Sequence, residues 1–164
     1  MADAFVTLTA ASALAEAQAA DAEIAAAGTT KGPMHGVPIA LKDLYAVAGV
    51  PNMAGSKALE DNIPAEDCTV VRRFREAGAV ILGKLNTTEG AMGGYNQFLN
   101  PGNQIPVNPW NPDRWAGASS SGSGVAIQAG FCFSTLGSDT GGSIRFPAAA
   151  NATVHSLCNS SVGH

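Results

Sequence analysis

Residues 115–147 read WAGASSSGSGVAIQAGFCFSTLGSDTGGSIRFP, two serine-bearing glycine turns set around one short helix and one strand. The rest of the chain, one lysine excepted, reads as scaffold for this stretch. The second turn, Gly137-Ser138-Asp139-Thr140-Gly141-Gly142-Ser143, follows the apolar run 131–136, which by length and composition is a buried strand. A strand that ends in adjacent glycines can turn so sharply that successive backbone N–H groups point to one side, because glycine accepts φ > 0 and carries no side chain to block approach. Ser143 beside such donors places a hydroxyl where acyl transfer needs a nucleophile, next to the position at which a carbonyl oxygen gains charge. Taken alone, the turn is read more plainly as a Gly-Gly strand-to-helix connection with a serine N-cap.

The first turn, Gly117-Ala118-Ser119-Ser120-Ser121-Gly122-Ser123-Gly124, opens a small-residue helix over 125–130. It lacks the Gly-Lys-Ser/Thr ending of a phosphate loop and the Gly-x-Gly-x-x-Gly of a dinucleotide fold. A serine nucleophile needs a base, and histidine is the usual one. Here His155 and His164 fall in the C-terminal tail and His35 in a Pro/Gly loop. Lysine serves instead where burial lowers its pKa enough to leave a neutral amine near pH 7. Lys42 meets that demand, standing at the end of the apolar run Val37-Pro38-Ile39-Ala40-Leu41 where a lysine is otherwise unexpected.

GVPIALKD, GASSSGSGVAIQAG and GSDTGGSIRFPAA, in that order, resemble the motifs of the amidase signature family, whose members hydrolyse or transfer carboxamides with a Ser-cisSer-Lys triad. The resemblance implies that Ser143 is the nucleophile, Lys42 the base, and Ser119 the bridging serine preceded by a cis peptide bond. Ser119 and Ser143 stand 24 residues apart (143 − 119), as in the family. It further implies an oxyanion hole from the backbone N–H groups of Thr140, Gly141, Gly142 and Ser143. Ser120, Asp139 and Arg145 become supporting residues, a buried Asp and Arg flanking the turn to fix its geometry. The segment around Met92 matches one that reaches the family's substrate pocket. No metal or organic cofactor is implied. The implied reaction is hydrolysis of a small carboxamide to carboxylate and ammonia or amine. The alternatives are the amidase subunit of a tRNA-dependent amidotransferase and a non-catalytic remnant.

Composition is that of a globular chain, rather apolar for a free-standing domain. At 164 residues, with 46% hydrophobic and 13% charged side chains, the chain is one domain at most, and as apolar as the interior slice of a larger one. A net charge of −4 argues against a nucleic-acid surface. Cys68, Cys132 and Cys158 show neither CxxC nor metal spacing and suggest reduced thiols in a cytoplasmic protein. No membrane-spanning run is visible, and the partners expected are a small amide substrate and, in a full-length form, a second copy of the chain.

The alanine-rich run 9–27 predicts a helix stopped by Gly28, with an apolar stripe through Leu8, Ala11, Leu14, Ala15 and Ile24. A strand at 37–41, a helix at 68–77 capped by Asp67, and a strand at 79–83 make a βαβ unit, hence an α/β fold with a mainly parallel sheet and helices on both faces. The loop after Asp43 is expected beside the site at 53–56 and on the surface at 57–66. Lys84, a rival base, is read as solvated or salt-bridged just past a strand end. The arm 100–114, with prolines at 101, 106, 109 and 112, is irregular, with Trp110 and Trp115 packing to hold it. Against the family pattern, Ala118 replaces a usual glycine. The resemblance also stops near Val154, which divides the chain into a partial amidase signature domain at 1–154 and a divergent tail at 155–164.

The strands 37–41, 79–83 and 131–136 are apolar on both faces and expect cover that the chain supplies sparingly. The 164-residue chain alone is therefore expected to be poorly soluble or molten and to hydrolyse amides weakly. Size-exclusion chromatography, near-UV circular dichroism and an ammonia-release assay check this, and a monodisperse, cooperatively folding monomer with full turnover would overturn it.

Overall fold

The computed structural model describes residues 3–95 and 105–158. In chain order these form β1 (Phe5–Leu8), α1 (Ala10–Ala27), β2 (Pro38–Lys42), α2 (Thr69–Glu76), β3 (Val80–Leu85), α3 (Ser121–Gln128), β4 (Ser134–Leu136) and α4 (Arg145–Asn151). The strands make one sheet in the order β1-β3-β2-β4, with β1 antiparallel to β3 and the other pairs parallel. The expected βαβ unit is present as β2-α2-β3. Ile39, Leu41 and Ile81 face Val71 of α2, and Ala40 and Leu85 face Val125 and Ala126 of α3; alternation sorts the β2 residues, and one extra residue in β3 between Ile81 and Lys84 turns Leu85 to the face opposite Ile81. Helices therefore cover both faces, and the two apolar clusters lie either side of β2.

Several elements differ from the sequence reading. Leu8 belongs to β1, a strand not foreseen. α1 ends as expected, with Gly28 in the left-handed region at φ 70° and its N–H on Ile24 O at 2.8 Å. Its inward face, however, runs through Ala13, Glu16, Ala17, Ala20 and Ile24, while Leu14 is exposed. The cause is the shortness of β1, which leaves backbone groups of β3 open along that edge. Thr9 donates through its N–H to Leu82 O and through Oγ1 to Ile81 O, and Glu16 accepts the Ile81 N–H at 2.9 Å while pairing with Arg75. A carboxylate turned inward thus completes the ladder and rotates the helix.

Asp67 does not cap α2, whose N-cap is Cys68. Its carboxylate takes the Ala48 N–H at 2.7 Å and the Arg75 guanidinium at 2.9 Å instead. The expected buried strand at 131–136 shrinks to three residues at the sheet edge, with Phe133 83% exposed. Residues 57–66 lie at the surface as expected, with one 3₁₀ turn at Lys57–Leu59. Of the proline arm, residues 100–104 lie outside the described residues, as does the tail at 159–164. Trp110 and Trp115 are mostly exposed. Trp110 holds the arm by donating from Nε1 to Asn151 O at 3.1 Å, and the Trp115 ring lies tilted against Phe146.

The serine turn starts its helix earlier than expected, at Ser121, and glycine makes that possible. At Gly122 a Cβ would stand 2.5 Å from Ala4 O and 2.6 Å from Asn86 N, and at Gly124 it would stand 2.9 Å from Pro147 O. All are backbone atoms that cannot step aside. Gly122→Ala should therefore cost about 1–3 kcal/mol through overpacking, read as a lower denaturation midpoint at unchanged slope. An unchanged midpoint would show that β1 and the 86–88 segment are not seated on this helix.

Candidate active site

β2 sends its chain onward to α2 on one face, while α3 covers the other on the way to β4, so β2 lies where the fold switches sides. The C-terminal ends of strands at such a switch form a natural crevice. Lys42 is the last residue of β2, and alternation turns it to the α3 face with Ala40. It is fully buried. Its Nζ donates to Ser119 Oγ at 2.7 Å and to Ser138 Oγ at 3.0 Å. Burial lowers its pKa to about 8, with the charge of Asp139 pulling the other way. Among the described residues the ammonium of Lys42 therefore meets two neutral hydroxyls and no directly bonded carboxylate.

Ser119 is 2% exposed and follows a cis peptide bond from Ala118. Its carbonyl accepts Thr87 Oγ1–H at 2.9 Å. Gly117 before it sits at φ 80° with its Cα against Pro147, an approach that only glycine permits. Ser120 joins the two turns: its N–H donates to Ser143 O at 3.0 Å, and its hydroxyl exchanges bonds with the Ser138 backbone at 3.3 Å each way. The structure thus brings Lys42 and Ser119 into direct contact, and holds Ser143 to the neighbour of Ser119 through its backbone. Among the described residues no hydrogen bond joins Ser119 Oγ to Ser143 Oγ.

The donor set differs from the sequence reading in one member. The Gly142 N–H is committed to Asp139 Oδ1 at 2.7 Å, so it is not available to an oxyanion. Among the described residues no protein acceptor takes the N–H of Thr140, Gly141 or Ser143. Asp139 also accepts the N–H groups of Ile144 and Arg145 and two guanidinium N–H of Arg145. Arg145, then the backbone donors, hold this carboxyl well below the usual carboxylate range, against the opposing effect of burial. Asp139 is largely buried, but Arg145 is 54% exposed, contrary to the expectation of a buried pair, because the guanidinium reaches the turn from the solvent side.

Met92 is 77% exposed, and it does not line the cavity of about 790 Å³ that borders the turns along Ser120, Ser138, Asp139 and Ile144. Lys42, Ser119 and Ser143 are not in that wall either, so the cavity adjoins the site from the side of Ser120. Residues 53–56 do not line it and instead wrap Asp43: the Met53 N–H reaches Oδ2 at 3.1 Å and the Ala54 N–H reaches the carbonyl at 3.0 Å. Lys84 lies within β3 and is salt-bridged as expected, but it is fully buried where solvent was the other expectation. His35 precedes β2, at the opposite strand end from Lys42. Its Nδ1 accepts the Lys31 N–H at 2.9 Å, while its buried Nε2 lies 3.0 Å from Glu23 without an aligned hydrogen bond among the described residues.

Sequence reasoning missed Ser138, Thr87 and Tyr45, whose hydroxyl donates to Gly137 O at 2.7 Å. Ser138 carried a usable signal. Leu41 pairs with Leu136 across β2 and β4, so the residues just past β4 must lie beside Lys42. That signal requires knowing that the two strands are neighbours.

The amidase family profile matches residues 2–154. A Mycobacterium tuberculosis protein with the provisional name amidase AmiD is 58% identical over 135 residues, covering 82% of this chain and 27% of that protein. A glutamyl-tRNA(Gln) amidotransferase subunit of Geobacter sulfurreducens is 51% identical over 146 residues, 89% of this chain and 29% of that one. Among solved structures, the peptide amidase of Stenotrophomonas maltophilia superposes with a TM-score of 0.80 at 37% identity, covering 91% of this chain and 31% of its own. The chain therefore spans about three tenths of the length of these relatives.

Asp139 has a pH consequence. A carboxyl whose folded pKa is depressed contributes stability that is present above its unfolded value of about 3.9 and lost as pH falls through the folded one. Asp139→Asn should lower the melting temperature at pH 7. Its deficit relative to the parent should shrink as pH falls below about 4. Thermal melts from pH 7 to pH 2 measure this, and a deficit that stays constant with pH would refute the charge-based account.

Proposed function

The chain belongs to the amidase family, and from that premise we propose that it carries the nucleophile and base of an enzyme that cleaves a carboxamide C–N bond. Ser143 attacks the carbonyl carbon, and its proton passes through Ser119 to the neutral amine of Lys42. The oxyanion is met by the N–H groups of Thr140, Gly141 and Ser143. The C–N bond then breaks as Lys42 returns the proton to the leaving nitrogen, giving ammonia or an amine and an acyl-Ser143. Water adds to that ester with Lys42 again taking a proton, the carboxylate leaves, and Ser143 regains its hydroxyl.

The observation that carries this reading is the 2.7 Å bond from fully buried Lys42 to Ser119 Oγ. Among the described residues a charged lysine in that place has only hydroxyls for direct partners, so its environment eases loss of the proton and gives access to the neutral form a base requires. The similarity to the glutamyl-tRNA(Gln) amidotransferase protein supports a second reading, in which the released ammonia passes to a partner protein. Ammonia release by the isolated chain favours hydrolysis. Release only in the presence of partner proteins favours transfer.

A fluorophosphonate probe should label Ser143 in a single turnover, with a rate that rises as pH passes through about 8, where Lys42 loses its proton. Ser143→Ala and Lys42→Met should each reduce turnover on the order of 10⁴-fold. Mass spectrometry that finds label on Ser119 or Ser120 with Ser143 clean would sink the assignment. So would turnover that survives Lys42→Met.

A further inference from the structure

The end of β2 carries a second buried charge arrangement that the proposed chemistry does not use. Asp43 follows Lys42 directly and points away from it. Lys84, on neighbouring β3, donates to Asp43 Oδ1 at 2.8 Å and to Asn52 Oδ1 at 2.7 Å, with Pro51 O at 3.4 Å. Both side chains are essentially excluded from solvent. With acceptors on every side, Lys84 is built to remain an ammonium. The other bonds of Asp43 tie strands and loop together: its N–H donates to Leu85 O at 3.0 Å, and it receives the N–H groups of Met53 and Ala54.

We propose that the Asp43–Lys84 pair is the positioning device of the Lys42 base: it locks the end of β2 to β3 and to the 51–55 loop, and it cancels the carboxylate next to Lys42, so that Lys42 keeps a neutral amine. This rests on the reading of Lys42 as the base. Asp43 is one residue from Lys42, and an uncompensated carboxylate so close would favour the ammonium form. Lys84 removes that field with an opposite charge from the neighbouring strand. Among the described residues, Cys68 at the start of α2 also acts on Lys84, and Asp139 acts on Lys42 from its far side. Asp139 is paired with Arg145, although its charge still favours the Lys42 ammonium. Among the described residues, Asp43 and Asp139 thus each have a cation of their own. Burial pushes Asp43 up and Lys84 down, and each is the other's main counterweight.

The signs of the effect separate this role from mere support. Lys84→Met leaves Asp43 uncompensated and should raise the Lys42 midpoint, whereas Asp43→Asn leaves Lys84 uncompensated and should lower it. Shifts of about 0.5 to 1 unit are expected. The double variant should return to within about 0.3 unit of the parent. The full chain has four lysines, Lys31, Lys42, Lys57 and Lys84, so ¹³C-lysine labelling gives four Cε resonances that single substitutions assign and a pH titration follows without any need for turnover. In the unmutated chain Lys84 should keep its proton to higher pH than Lys42. Lys84 titrating first overturns the proposal, and that measurement decides even where a variant does not fold. A lowered Lys42 midpoint that both substitutions move in one direction, or that neither moves, overturns the role of the pair alone. A Lys42 midpoint at the free-lysine value of about 10.4 overturns the base reading itself.

Discussion

A fully buried amine resting on two serine hydroxyls is the constraint around which the structure is arranged. Moving an ammonium out of water without a bonded counter-charge is costly, and a protein meets the cost by supplying a partner or by letting the group lose its proton. Lys42 leans toward the second course, its pKa lowered by burial to about 8 with Ser119 and Ser138 as its contacts. Lys84, on the next strand and equally buried, takes the first, bonded to Asp43. Strand alternation places the two lysines on opposite faces of the sheet, so two solutions to one electrostatic problem stand side by side without interfering. Burial alone therefore does not set the protonation preference of a lysine; the identity of the acceptor does.

For the hydroxyls to reach Lys42, two turns far apart in sequence must press against one strand end. Small residues make this contact possible. α3 can start at Ser121 because Gly122 and Gly124 let its first turn lie against the backbone of Ala4, Asn86 and Pro147, and Gly117 lets the preceding loop pass against α4. Ser120 then stitches the two turns by three bonds, one of them to the carbonyl of Ser143. Asp139 holds the second turn from inside by accepting three backbone N–H groups in addition to Arg145. One of those N–H groups belongs to Gly142. A carboxylate that organises the loop thus consumes a donor that the glycine pair would otherwise have offered to an oxyanion.

Much of this was legible in the chain, because it depends on local chemistry. The apolar runs ending at Lys42 and near Lys84, the helix stop at Gly28 and the glycine-serine turns each follow from what a residue does to its own backbone or to its immediate neighbours. The order and spacing of three motifs carried the family. The α/β class followed from the strand-helix-strand order, since parallel neighbours need a crossover.

What the sequence could not decide were matters of who faces whom. The stripe on α1 was misread because an inward-facing Glu16 is favourable only when β3 has an open edge to offer it, and that edge exists only because β1 is short. The place of β4 at the margin, which exposes Phe133, depends on which strands the sheet sets beside β2. Ser138 becomes a partner of Lys42 only through the pairing of Leu41 with Leu136. Asp139 and Gly142, three residues apart, could equally have left that N–H free. The chain by itself determined which residues can turn, bury or donate. The tertiary structure decided which donor meets which acceptor, because hydrogen bonds and ion pairs between distant segments are set by packing and register, and no local pattern encodes them.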